Sequence, residues 1–186
     1  MDNEESWRQS KAIGNITENI IEFLLESTDE WKCIKFGMEN HIGELKASLK
    51  NNLNETSRRI RSMPDFIVVN KNNKDVMLID VKYRSFIDKR EENALLFGFN
   101  YGRMKDYLDF WKDVKLIIVT PQEPYFYVVD LKDVEWHKHF HSRQNMKDQH
   151  LFEQWNFLNI YRPIQNLLPN LSEENLKKAI AMIPNR

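Results

Sequence analysis

The stretch Met63-Pro64-Asp65-Phe66-Ile67-Val68-Val69-Asn70-Lys71-Asn72-Asn73-Lys74-Asp75-Val76-Met77-Leu78-Ile79-Asp80-Val81-Lys82-Tyr83 decides the fold. Two apolar, β-branched runs, 66–69 and 76–83, flank a polar cluster of Asn and Lys, which is the pattern of a β-hairpin. A strand repeats every two residues. Leu78, Asp80 and Lys82 therefore project from one face, and Met77, Ile79, Val81 and Tyr83 from the other, which reads as core. Asp65 stands at the start of the first strand, directly after Pro64, and folding the hairpin can bring it beside Asp80.

Two charges inside an apolar strand are costly to bury unless they are paired or bound to a metal. Neighbouring carboxylates repel and raise one pKa unless a cation lies between them. Hard oxygen ligands with no His or Cys nearby suit Mg²⁺ or Mn²⁺ rather than zinc. A salt bridge from Lys82 to Asp80 or Asp65 at a sheet edge accounts for the same residues without a metal. From the residues alone both readings stand.

Outward from the hairpin, residues 11–27 predict an amphipathic helix with Ile13, Ile16, Ile20, Phe23 and Leu24 on one face. Residues 31–37 predict a short strand. A second helical pattern carries Ile42, Leu45, Leu49 and Leu53. After the hairpin, a helix is expected over roughly 91–111, with Leu95, Leu96, Phe99, Tyr107, Leu108 and Trp111. A strand over 114–120 stops at Pro121, and a second over 125–131 pairs back against it. A helix is expected over 146–160, and a last short one opens at Ser172, an N-cap followed by Glu173 and Glu174. This order predicts an α/β fold around a mixed central sheet.

With 41% hydrophobic and 12% aromatic residues, the 186-residue chain can bury a core, which argues against disorder. One domain is expected over 1–186, with a core at about 11–131 and a helical C-terminal extension at about 135–186. The lone Cys33 rules out a disulfide framework and a cysteine-rich zinc cluster. The opening residues lack a secretory pattern, and no apolar run approaches the ~18 residues a membrane helix needs. A soluble, intracellular (cytoplasmic) protein with no membrane partner is expected. The net charge is −1, yet residues 46–90 hold eleven bases against five acids. Such a window can face a polyanion, or it can be an ordinary solvated surface.

Pro64-Asp65 followed by Asp80-Val81-Lys82 resembles the signature of the PD-(D/E)XK nuclease superfamily, the restriction-endonuclease-like fold. Gly14, Glu18, Ile21 and Leu25 fit the family's first-helix pattern, with Glu18 as its acid and Glu22 as a rival one turn on. The resemblance covers about residues 11–131. It implies a restriction-endonuclease-like mixed central sheet flanked by helices. It also implies a Mg²⁺- or Mn²⁺-dependent nuclease that hydrolyses nucleic acid, most naturally a DNA endonuclease. A non-catalytic nucleic-acid-binding or assembly module of the same fold is the alternative. Asp65, Asp80 and the Val81 carbonyl would be metal ligands, and Glu18 would complete the set directly or through water. Lys82 would orient the attacking water and stabilise charge on the phosphate.

Some members of the RecB-like branch carry Gln followed four residues later by Tyr. Here Arg103 stands in the Gln position before Tyr107, leaving Arg103, Lys105 and Tyr101 as candidate phosphate contacts. Arg58, Arg59 and Arg61 precede Pro64-Asp65, and Arg84 lies two residues beyond Lys82. Arginine's fork suits phosphate, so these are candidate nucleic-acid-binding residues, with Lys35 a further one. A homodimer is a natural arrangement for cutting two strands. His137, His139 and His141 would share a strand face, but no fourth zinc ligand accompanies them.

Overall fold

The computed structural model describes residues 3–37, 49, 52, 54–85, 88–91, 94–133, 139–140, 152–156 and 161–184. Helix α1 (Asn3–Glu26) leads into β1 (Trp31–Lys35); α2 (Glu55–Arg61) then precedes β2 (Phe66–Asn70) and β3 (Val76–Tyr83). After β4 (Asp88–Glu91) and β5 (Ala94–Asn100) come α3 (Tyr101–Phe110), β6 (Val114–Val119) and β7 (Phe126–Asp130). The chain continues through β8 (His139–Phe140), β9 (Phe152–Asn156), β10 (Arg162–Pro163), α4 (Ile164–Leu167) and α5 (Glu173–Ala181).

Six strands form a sheet in the order β1-β2-β3-β6-β7-β10. All its neighbours are antiparallel except β3 and β6, which run parallel from Leu78↔Val114 to Tyr83↔Val119. This is the mixed sheet with flanking helices that the sequence predicts. The hairpin forms where expected, because Asn70 organises its turn: the side-chain carbonyl accepts from the backbone N–H groups of Asn72 and Asn73.

Two apolar clusters cover the faces of the sheet. On one, Ile20, Ile21, Leu24 and Leu25 of α1 pack with Ile79 and Val81, joined by Ile164, Leu168, Ala179 and Ile183. On the other, Tyr107 of α3 packs with Val114, Leu116, Ile118, Tyr127, Val129 and Leu131, with Leu78 against them. The alternation read from β3 is thus realised, with Ile79 and Val81 facing α1 and Leu78 facing α3. Each aliphatic side chain fully removed from water contributes about 1.5–3 kcal/mol, so these layers fix how the helices sit on the sheet.

Helix α1 is longer than its apolar pattern, starting at Asn3, and its buried face is shifted. Thr17, Ile20, Ile21, Leu24 and Leu25 are buried, whereas Ile16 is 41% exposed. The helix expected over 91–111 is instead a strand followed by a helix, β5 then α3. Leu95, Leu96 and Phe99 fit a helical face, but β5 pairs with β4 on one side and with β9 on the other. A ladder to residues more than fifty positions away overrides the local period. For the same reason the helix expected over 146–160 contains strand β9, and β4-β5-β9-β8 make a second sheet. The extension does end in α4 and α5, with Ser172 capping α5 through Asn175 N–H. The helix expected around Ile42 to Leu53 falls largely outside the described residues. No helix among the described residues is long and apolar enough to cross a membrane.

Candidate functional site

The hairpin opens into a fork. Pairing between β2 and β3 runs from Val69↔Val76 to Phe66↔Ile79, while β3 continues alongside β6 to Tyr83. Past Ile79, the β2 side of β3 would leave a backbone donor without its ladder partner. Asp65 supplies that partner, its Oδ2 accepting the Val81 N–H at 2.7 Å. The Asp65 carbonyl also accepts from Phe36 N at 2.8 Å and Gly37 N at 3.2 Å, which pins this residue to the end of β1.

Asp80 is 1% exposed. Its Oδ1 accepts the Tyr107 hydroxyl at 2.5 Å. Its Oδ2 lies against the Lys82 ammonium as an ion pair and has no conventional hydrogen-bond donor among the described residues. The same ammonium donates to the Val81 carbonyl at 3.1 Å and stands 3.9 Å from Asp65 Oδ2. It also sits 5.9 Å from the centroid of the Tyr107 ring. One cationic atom therefore rests where oxygens of Asp65, Asp80 and Val81 converge.

This enclosure perturbs the acids. Burial and the neighbouring Asp80 push the Asp65 carboxyl up to about 7, against the opposing pull of Lys82 and the Val81 N–H. Although 20% of its side-chain surface reaches solvent, protein atoms surround the carboxyl densely enough for desolvation to dominate. Glu18 is also raised, chiefly by burial, and it responds to the fields of Lys82, Lys35 and Asp80. It belongs to α1, the helix whose Ile20, Ile21, Leu24 and Leu25 pack with Ile79 and Val81.

Of the residues singled out in the sequence, Asp65, Asp80, Val81 and Lys82 are brought together directly. Glu18 is near enough to feel the cluster without closing a three-acid set. Among the described residues, no group of three or more His, Cys, Asp or Glu could hold a metal ion. Glu22 is engaged elsewhere, in a 2.9 Å ion pair with Lys35, which also donates to Asn19 at 3.3 Å.

The arginines divide. Arg58 is engaged by acids of α3: Nε and one terminal nitrogen donate to Asp106 at 2.9 and 2.6 Å, and that terminal nitrogen reaches Asp109 at 3.0 Å. With its guanidinium over Phe110, it braces α2 against α3. Arg59 lies over the same ring and is exposed. Arg61 is half-buried, its Nε donating to the Ser57 carbonyl at 3.3 Å. Arg84 is half-buried, donates to the Tyr83 carbonyl at 2.7 Å, and has its pKa lowered by burial against the pull of Asp80. Lys105 is exposed on α3. Arg103 and Tyr101 lie on the first turn of that helix, and their side chains are outside the described residues. His139 opens β8, whereas His137 and His141 are outside the described residues.

Tyr107 meets Asp80 at the site, whereas the sequence placed it on a helix face and four residues after Arg103 without assigning it a site role. Its spacing after Arg103 was the one available signal, and it did not reveal the contact with Asp80.

Fold and site define an α/β protein with buried carboxylates gathered around a cationic centre at the fork of a mixed sheet. No protein-family model and no curated protein matches the sequence. Among solved structures, the chain is similar to Hjc, a Holliday junction resolvase of the archaeal hyperthermophile Archaeoglobus fulgidus. The identity is 10%, covering 84% of this chain and 95% of that one, at a TM-score of 0.46.

Proposed function

We propose that the chain is a divalent-metal-dependent nuclease that hydrolyses phosphodiester bonds in nucleic acid, with DNA cut internally as the preferred reaction. The observation that carries this reading is the convergence of Asp65 Oδ2, Asp80 Oδ2 and the Val81 carbonyl on one cation. A buried carboxylate oxygen with only an ammonium against it, beside a second carboxyl lifted to about 7, is a donor set short of positive charge. Hard oxygens of this kind fit Mg²⁺ or Mn²⁺. Asp65, Asp80 and the Val81 carbonyl would hold the ion, with Glu18 contributing through water. When bound, such an ion supplies Lewis-acid polarisation and charge neutralisation at a phosphodiester.

The chain's own groups do the rest. Lys82 has a flexible four-carbon stem, so its ammonium can leave the carboxylates for the non-bridging oxygens of a phosphate, where negative charge grows during attack. Asp65 Oδ2 keeps the Val81 N–H satisfied, which holds β3 in place as the ammonium moves. Arg59, Arg61, Arg84, Arg103 and Lys105 are the candidates for holding the nucleic-acid backbone. Arg58 supports them by fixing α2 on α3. A homodimer would present two such sites to the strands of a duplex.

A second reading has its own observation. Lys82 already forms ion pairs with both acids and no three-acid set is assembled among the described residues, as expected for a purely structural ion-paired fork. One panel separates the two. Linear, circular, branched and single-stranded substrates are incubated with Mg²⁺ or Mn²⁺, alongside Mn²⁺ calorimetry. The nuclease reading expects cleavage and Mn²⁺ uptake by the wild type. It expects both activities to disappear in Asp80→Ala, and cleavage to disappear in Asp65→Ala and Lys82→Ala, with circular dichroism unchanged. No cleavage of any substrate and no Mn²⁺ heat, with Asp80→Ala merely less stable, would overturn it.

A further inference from the structure

We propose that Tyr107 is a positioning residue of this site, fixing the Asp80 carboxylate so that its Oδ2 faces the cation position that Lys82 occupies. The metal arm of the proposal rests on the nuclease reading; the geometric arm does not.

The phenol is 1% exposed and its ring is locked among Val114, Leu116, Ile118, Tyr127, Val129 and Leu131. A close-packed side chain of this kind has one rotamer and no room to swing, so its hydroxyl is a fixed point. That point donates to Asp80 Oδ1 at 2.5 Å. With Oδ1 held, Oδ2 is turned toward Lys82 and the neighbouring oxygens of Val81 and Asp65. The ring of the same residue lies 5.9 Å from the Lys82 ammonium, within reach of a cation–π attraction. One side chain from the helix layer thus touches both charged groups of the strand.

A buried phenol needs a hydrogen-bond partner whatever its purpose, so satisfying the Tyr107 hydroxyl is the competing explanation. The two accounts differ in what removal of the hydroxyl does to other groups. If Tyr107 only satisfies itself, Tyr107→Phe removes a bond and leaves the site's behaviour toward cations unchanged. If it positions Asp80, the carboxylate gains rotational freedom, and partners that orient a metal-binding carboxylate typically contribute about 10- to 100-fold in affinity.

The experiment has two arms on the full chain. In the first, Mn²⁺ is titrated calorimetrically into the wild type and Tyr107→Phe; the expected result is affinity weakened by about 10- to 100-fold. In the second, without metal, urea denaturation of Tyr107→Phe, Lys82→Met and the double variant forms a cycle. Both residues act on one carboxylate, so their effects on the folding equilibrium should be non-additive. Equal Mn²⁺ affinity together with an additive cycle would overturn the proposal. A wild type that takes up no Mn²⁺ but shows a non-additive cycle would remove the metal reading and keep the positioning role. A wild type that binds Mn²⁺ as tightly as Tyr107→Phe does, with an additive cycle, would do the reverse. Should Tyr107→Phe lose its fold, a fluorinated tyrosine at 107 alters donor strength with little change of shape and carries both arms.

Discussion

Asp65→Asn gives a pH signature that can be worked from the structure. In the unfolded chain this carboxyl titrates near 3.8, and in the fold burial and Asp80 lift it to about 7. At 1.36 kcal/mol per pKa unit, that rise corresponds to about 4 kcal/mol between the two protonation states. The native state holds the proton more tightly than the unfolded chain does. The contribution is therefore complete below about pH 4 and is lost as the pH climbs through about 7.

The assay is urea denaturation of wild type and Asp65→Asn in EDTA at constant ionic strength, from about pH 4.5 to about pH 8, taking the difference in stability at each point. Titrations common to both proteins largely cancel. Asparagine keeps an oxygen for the Val81 N–H, so the bond at the fork survives. Over this range the wild type should lose stability relative to Asp65→Asn as pH rises, by up to about 3 kcal/mol and never more steeply than about 1.4 kcal/mol per pH unit. A difference that is flat, or that rises with pH, would refute the claim that Asp65 is held in a desolvated, acid-crowded place.

Other perturbations test the framework around the site. Arg58→Ala should lower the urea midpoint, since it leaves Asp106 and Asp109, one turn apart on α3, without the cation that α2 supplies to both. Added salt should narrow the gap to the wild type, and a gap that widens with salt would contradict the brace. Gly14→Ala should raise stability by about 1 kcal/mol, because Gly14 is interior to α1 and a Cβ there meets nothing within 4 Å. Thermal melts would show the gain, and a loss would mean that the space beside Gly14 is filled in solution.

Much of the fold was legible in local sequence. Asn70 and the Asn-Lys cluster after it encode the turn, and period two places Asp80 and Lys82 on one face whatever the rest of the chain does. Ser172 caps the final helix through its own side chain. The failures have a common cause. Leu95, Leu96 and Phe99 satisfy a helical spacing, as do Phe152 and Trp155, yet the two segments pair with each other as strands. Short apolar runs are ambiguous in isolation, and a partner more than fifty residues away decides between the readings.

The candidate site shows the same division. By itself the sequence determined the residue types, the hairpin and the shared face of Asp80 and Lys82, since these depend on neighbours within a few positions. Only tertiary structure decided that β2 and β3 part at Ile79, leaving Val81 N–H for Asp65 to bind. It also decided that Tyr107, 27 residues from Asp80, would meet it, and that Arg58 would be taken by acids 48 and 51 residues away. Such contacts are set by how layers pack and where backbone donors run out of partners, and nothing in the spacing of residues along a strand or helix encodes either.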